Sequence, residues 1–451
     1  MSTSGDAEAV ARLAVASAME AGADAADAVV SHGDGLDVGV RLGEREKLTR
    51  SRERRVGLRV IVGGATAVVS SADLATATLR DLARQACALA ATTAPDEHAG
   101  LADPADLARD VPDLDLWDDG ADSVDPDAGF ALALRAERAA LDAAPVITNS
   151  EGSEFAAGGG AVAYASSTGF TGGYRRSSFS LSVVPVATQD GEMQRDSWWT
   201  ASHHLARLED ACGVGQEAAR RTLRRLGAKQ IPTGTYPIVF DPQTAASLLR
   251  HLAGAIAGPS LYRRASFLLD RLGERIAPEH VVVVDDPLRP GAPGSRPFDG
   301  EGVASRARTI VEHGVLRSYL LDSYSARRLG LATTGHAVRG TTDVPTVAPT
   351  NFHLAPGPHT PGAIVASIER GLYVTELIGF GVNTVTGDYS RGASGLWIED
   401  GRLAHAVEQV TIAGNLTDML AGIEMVGDDL HFRTAVAAPT LKIGRMTVAG
   451  S

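Results

Sequence analysis

Between Thr235 and Gly258 the chain reads TYPIVFDPQTAASLLRHLAGAIAG, and this stretch leaves little choice of local structure. The apolar run Tyr236 to Phe240 predicts a buried strand. Asp241 stands where a helix needs an N-cap acceptor, and Pro242 follows at the first helical position, where a missing N–H costs nothing. Ala245, Leu248, Leu249, Leu252 and Ile256 then repeat at helical spacing, and Gly258 with Pro259 marks the end. In many hydrolases such a helix displays a His/Glu metal motif, yet its only candidate ligand here is His251.

A chain of 451 residues exceeds one ordinary core, so two or three domains are expected. Residues 1–94 read as an N-terminal α+β domain. A helix from Asp6 to Ala21 precedes alternating strands at Ala26–Val30 and Leu36–Leu42, with Gly33-Asp34-Gly35 read as a hairpin turn. Strands at Val56–Val62 and Ala65–Ser70 flank Gly63-Gly64, and a helix opens at Asp73. Residues 95–126 are crowded with aspartate and almost devoid of basic residues. Their spacing matches no compact calcium loop, and they read as a solvated connector.

Residues 127–232 form a middle α/β-hairpin domain. Its parts are a helix to Ala144, a glycine-punctuated β region turning at Gln189-Asp190-Gly191, and a basic helix from Leu208 to Leu226. Residues 233–451 form a β-rich C-terminal domain with flanking helices. It includes a hairpin turning at Glu312-His313-Gly314, a short helix between Asp322 and Gly330, and a helix from Pro361 to Gly371. The fold class is α+β, with antiparallel sheets dominant.

A net charge of −13 argues against nucleic acid as a direct ligand. The basic groups at Arg52, Arg54 and Arg55 and at Arg220, Arg221, Arg224 and Arg225 read as solvated faces. Two cysteines, Cys87 and Cys212, make neither a disulfide framework nor a thiolate metal cluster, and they fit a reducing compartment. Cys87 reads as a small buried hydrophobe in a helix. With no signal-peptide pattern and no apolar span, the expectation is a cytoplasmic protein without membrane attachment.

No His-Glu dipeptide occurs, so the zincin pattern is absent. His251 projects to the side of the apolar stripe of its helix, and one turn later stands Ala255, which ligates nothing. His203-His204 is the only histidine pair, and adjacent strand residues face opposite ways. There is no Gly-x-Ser-x-Gly elbow and no Walker loop; Gly158-Gly159-Gly160 lies in a β region. Ser390, Ser394 and Asp388, read as part of a glycine-rich hairpin, leave a serine-based site open, although all are ordinary turn residues.

The order of motifs says more than any one of them. GADAADAV (Gly22 to Val29), VGLRVIVGG (Val56 to Gly64), FDGEGVASR (Phe298 to Arg306) and IVEHGVLRSYLLDSYSARRLG (Ile310 to Gly330) are followed by the run from Asn383 to Leu416, by MVGDDL and by APTLKIGRMTVAG. In that order, nearly from end to end, the chain resembles the TldD/PmbA family, also labelled modulator of DNA gyrase.

The resemblance implies a heterodimeric zinc peptidase acting on unfolded or small peptides. Its TldD-type subunit carries a His-Glu-x-x-x-His motif on the helix of the third segment and a cysteine ligand near the C-terminus. The TldE/PmbA-type subunit shares the fold without that site. Aligning GPSLYRRASFLLDRLGER (Gly258 to Arg275) places the three chemical positions of the motif at Leu249, Arg250 and Gly254, none of which binds zinc. His251 falls out of register, and Arg433 to Ala437 offers no thiolate.

The expectation is therefore a TldE/PmbA-type subunit with no cofactor of its own, zinc being held by a TldD-type partner. Asn383, Asp388, Tyr389, Ser390 and Arg391 are expected to line a substrate channel. The chain is free to self-associate as a homodimer when the partner is absent. Two alternatives remain: a stand-alone metallopeptidase using scattered groups such as His251, His280 or His313, and a non-enzymatic binding or regulatory protein.

Overall fold

The computed structural model describes residues 4–450. The first half comprises α1 (Ser4–Glu20), β1 (Ala25–Arg41), β2 (Glu44–Val62), β3 (Ala65–Ser71), α2 (Thr76–Ala90) and α3 (Pro126–Leu141), followed by β4 (Ile147–Ser166), β5 (Thr171–Gln189), β6 (Glu192–Arg195), β7 (Trp198–Ser202) and α4 (Ala211–Leu223). Among the described residues their strands form one seven-stranded antiparallel sheet, ordered β3-β2-β1-β4-β5-β6 with β7 also on β5. Strands from both sides of the acidic connector therefore share a ladder, with β1 pairing β4 from Asp27↔Ser166 to Val40↔Ser153.

Period-two alternation sorts β1 into its contacts. Ala26, Ala28 and Val30 pack under the alanine stripe Ala7, Ala11, Ala14 and Ala18 of α1 and under α2. Further along the same face, Leu36, Val38 and Val40 pack with Phe130 and Ala133 of α3 and Val214 of α4. Val29 points the other way, onto Tyr164, Phe170 and Phe298 of the C-terminal segment.

Gly33-Asp34-Gly35 does not turn the chain; β1 runs straight through it. Gly33 lies opposite Gly160, and Gly35 opposite Gly158. A Cβ on Gly160 would stand 2.0 Å from the His32 carbonyl oxygen. These glycines let two strands approach closely, a use that sequence alone does not distinguish from a turn. The reversal comes instead at Leu42-Gly43, both at positive φ, so β2 begins at Glu44 rather than Val56. Its first twelve residues are exposed, and the charged run has no alternation to betray a strand.

The connector is not merely solvated. Leu101, Ala102, Leu114 and Leu116 are buried. The Ala108 N–H donates to Gly302 O at 2.9 Å, and Arg327 donates to the carbonyls of His98, Gly100 and Leu101. Trp117 lies over Gly159. The basic helix α4 is shorter than read, opening after the Asp210 cap; Arg220 is solvated as expected, but Arg221 is buried and Arg224 and Arg225 are half-buried. The Arg221 side chain is 6% exposed and sits between Asp196 and Asp241. Cys87 is half-buried, and burial raises its thiol pKa.

The second half runs through β8 (Gly234–Phe240), α5 (Pro242–Ala255), α6 (Gly258–Tyr262), β9 (Val283–Asp285), β10 (Arg308–Glu312), β11 (Val315–Leu316), α7 (Ser323–Leu329), β12 (Ala337–Val338), β13 (Thr346–Val347) and β14 (Phe352–Leu354). It continues with α8 (Pro361–Ala366), β15 (Arg370–Ile378), β16 (Asp388–Glu399), β17 (Arg402–Asn415), α9 (Leu416–Ala421), β18 (Ile423–Val426), β19 (Val436–Ala437) and β20 (Leu441–Ala449). The larger sheet is ordered β17-β16-β15-β8-β20-β18, and β17 also pairs β20, closing a ring of strands. Ile238 and Phe240 face the main core with the leucines of α5, while Val239 faces Ile364, Val365 and Ile368 around α8. Ser390 and Ser394 lie within the continuous strand β16, not in a hairpin. The Asp322 cap and left-handed Gly330 bracket α7 as read, whereas α8 stops five residues short of Gly371.

One knot of buried charge joins the halves. Arg59 Nη2 lies 2.5 Å from Asp27 Oδ2 and 3.7 Å from Glu301 Oε1. Tyr164 donates to Asp27 at 3.0 Å, and Arg339 reaches Asp27 from the C-terminal segment. Burial pushes the Asp27 carboxyl up, but the charges and hydrogen bonds of Arg339 and Arg59 outweigh it, and its pKa lies below the ordinary value.

Candidate functional site

The strand–cap–helix unit forms as its sequence demands. The Asp241 side chain accepts from the Thr244 N–H and hydroxyl, both at 2.9 Å, and its own N–H donates to Val374 O at 3.1 Å. Burial raises its carboxyl pKa, against the Thr244 hydrogen bonds and the charge of Arg221. Ala245, Leu248, Leu249 and Leu252 are buried against the strand ring, as is Ile256 at the C-cap. The helix stops at Ala255, and Gly258-Pro259 opens α6 rather than merely ending a pattern. Gly258 is needed for close approach, since a Cβ there would lie 2.2 Å from the Ser325 side chain.

One flank of α5 lines a cleft of about 450 Å³. Gln243, Ala246 and Arg250 of α5 line it together with Trp198 and Trp199 of β7, His431 and Arg433. This cleft gathers the two places that matter for the expected metal motif, Arg250 on the helix and the run 433–437. Sequence reading missed Trp198, Trp199 and His431 here, because nothing local ties β7 to a helix some fifty residues later.

The other flank carries Ser247 and His251. Arg391 donates to Ser247 Oγ at 3.0 Å and to Leu377 O at 3.3 Å. The His251 ring meets Tyr389 edge-on, with centroids 6.1 Å apart. Burial lowers the imidazole pKa, and Arg391 and Arg250 lower it further, so this histidine packs as a neutral ring. Burial also pushes the Tyr389 phenol up to about 12.

The five residues expected in a channel are not brought together as one surface. Tyr389 is buried beside His251, and Arg391 is half-buried. Asn383 and Asp388 are spent on their own turn, Asn383 accepting from Val385 N–H at 2.9 Å and Asp388 from Thr386 Oγ1 at 2.6 Å. Ser390 is exposed on the opposite face of β16.

The residues at the motif positions do not fit a metal. Leu249 is 3% exposed in the core, Arg250 is a cation, and Gly254 has no side chain. Among the described residues, no three His, Cys, Asp or Glu groups come together in a way that could hold an ion. His280 and His313 are exposed and separate from His251. His203 is buried on the carbonyls of Ser177 and Ala292, and His204 pairs with Asp115 at 2.8 Å.

Family models agree with this architecture along most of the chain. Residues 233–450 match the PmbA/TldA metallopeptidase C-terminal domain, 119–226 the central domain and 26–90 domain 1 of the same family. The Escherichia coli O157:H7 metalloprotease PmbA is 38% identical over 427 residues, covering 95% of this chain and 92% of that protein. The chain belongs to the PmbA/TldD metallopeptidase family.

Among solved structures, a Bacteroides thetaiotaomicron protein carrying the label of a modulator of DNA gyrase superposes with a TM-score of 0.91 at 28% identity, covering 98% of both chains. TldE from Thermococcus kodakarensis superposes with a TM-score of 0.86 at 19% identity, covering 98% of this chain and all of that one, which shows a shared fold.

Proposed function

We propose that this chain is the non-catalytic, TldE/PmbA-type subunit of a two-subunit zinc peptidase that acts on unfolded or small peptides in the cytoplasm. A TldD-type partner holds the zinc and performs hydrolysis. This chain supplies the matching half of the framework and part of the wall around the substrate. The observation that carries the reading is α5: an intact cap and apolar stripe, with Leu249 in the core, Arg250 as a cation and Gly254 bare. Zinc needs several nitrogen, sulfur or carboxylate donors at about 2 Å, and these three side chains provide none.

The chain's chemistry is then positional. Strand edges near the cleft offer backbone groups to an extended peptide without reading its sequence. Without its partner the chain is free to pair with itself. The reading as a stand-alone enzyme draws no support from His251, His280 and His313, which do not converge. Among the described residues, no helix is long and apolar enough to cross a membrane.

The test is reconstitution. Purified chain alone should leave an unstructured peptide uncut, and adding a TldD-type subunit should give chelator-sensitive cleavage. Cleavage by this chain alone, abolished by chelator and restored by zinc, would refute the proposal.

A further inference from the structure

The cleft beside α5 holds six charged or titratable side chains, and five of them are engaged or neutral. Asp429 spends both oxygens on the Thr440 N–H and hydroxyl, at 2.9 and 2.7 Å. Asp241 caps α5, and Arg221 is wedged between Asp241 and Asp196. Arg433 donates to Trp199 O at 2.7 Å, pairs with Glu209 at 2.8 Å and stacks 3.9 Å from the Trp198 ring. Burial and Arg433 lower the His431 pKa.

Arg250 is different. It makes no side-chain hydrogen bond, ion pair or ring contact with any described residue. A planar guanidinium projecting from a helix into a cleft also lined by Trp198 and Trp199 can donate a pair of hydrogen bonds to a planar oxyanion. His431, whose ring also makes no hydrogen bond to the described residues, supplies a neighbouring donor.

Resting on the proposed peptide-handling role, we propose that Arg250 makes this cleft a binding site for a peptide carboxylate. A free C-terminus, or an aspartate or glutamate side chain, docks on the guanidinium in the cleft that Trp198 and Trp199 also line.

The experiment is calorimetric titration of the full-length chain with Ala-Ala-Ala, its C-terminal amide, Ala-Asp-Ala amide and inorganic phosphate, with Trp fluorescence as a second signal. The free acid should bind at least about tenfold more tightly than its amide, as expected for losing one charge-assisted contact. R250Q, checked for an unchanged melting curve, should erase that difference. Binding of Ala-Asp-Ala amide as tight as the free acid supports a site that takes either carboxylate source; weak binding of that amide supports the site and assigns it to the terminus.

Equal binding of acid and amide to the wild-type chain overturns the inference. So does discrimination that survives in R250Q, or phosphate binding more tightly than the free acid. The reconstitution assay separates the two readings: a wild-type complex that cleaves peptides, built on a chain that ignores the carboxylate, leaves the subunit proposal standing and removes only this site.

Discussion

Two arginine environments divide the labour of this molecule. At the junction between the halves, Arg59 and Arg339 are buried and answered by Asp27 and Glu301. On α5, Arg250 stands in a cleft with nothing to answer it. A buried charge without a partner is among the costliest features a fold can carry, whereas an exposed one costs little. The first pair is bound to structure, and removing its counter-charge should be felt globally. The second is available to a ligand, and removing it should be felt only there.

The largest effect is expected from D27N. It leaves two buried guanidinium groups facing a neutral amide, and breaking such a pair costs about 3–5 kcal/mol, measurable by urea unfolding. The pH dependence follows the same carboxyl. The native pKa of Asp27 lies below its ordinary value, so its stabilisation is in force above about pH 4 and is lost as pH falls through the depressed native value. D27N should flatten that acid-side loss. A D27N protein as stable as wild type would erase the contrast between the two arginine environments.

Next in size is L249H, which puts a polar ring into a core position that is 3% exposed. A cost of about 2–4 kcal/mol is expected by the same unfolding assay, from lost packing and an unsatisfied polar group. Smaller and opposite in sign, G254A should stabilise the chain by about 0.5 kcal/mol, seen as a raised melting temperature. A Cβ there meets nothing within 4 Å, and alanine is the better helix former. R250Q should leave stability within about 0.5 kcal/mol of wild type. A large loss would mean Arg250 belongs to the structural class after all.

What could be read from sequence followed from how local the cause was. Asp241, Pro242 and the leucine stripe dictate α5 by contacts within a few residues, and Asp322 with Gly330 does the same for α7. The glycines of β1 and β4 misled, because strand-to-strand approach and chain reversal ask for the same residue. The first half of β2 was invisible, since a strand held by one neighbour and solvent needs no alternation. Arg250 was singled out through the resemblance, but its freedom from partners and the Trp198–Trp199 lining of its cleft depend on segments far apart in the chain.

Leu249, Arg250 and Gly254 leave the motif positions of α5 without a metal donor, and metal stoichiometry by native mass spectrometry tests the consequence most directly. After incubation with zinc and dialysis, the chain alone should retain none, while its complex with a TldD-type subunit should retain one ion per heterodimer. One tightly held zinc per copy of the isolated chain would contradict the account.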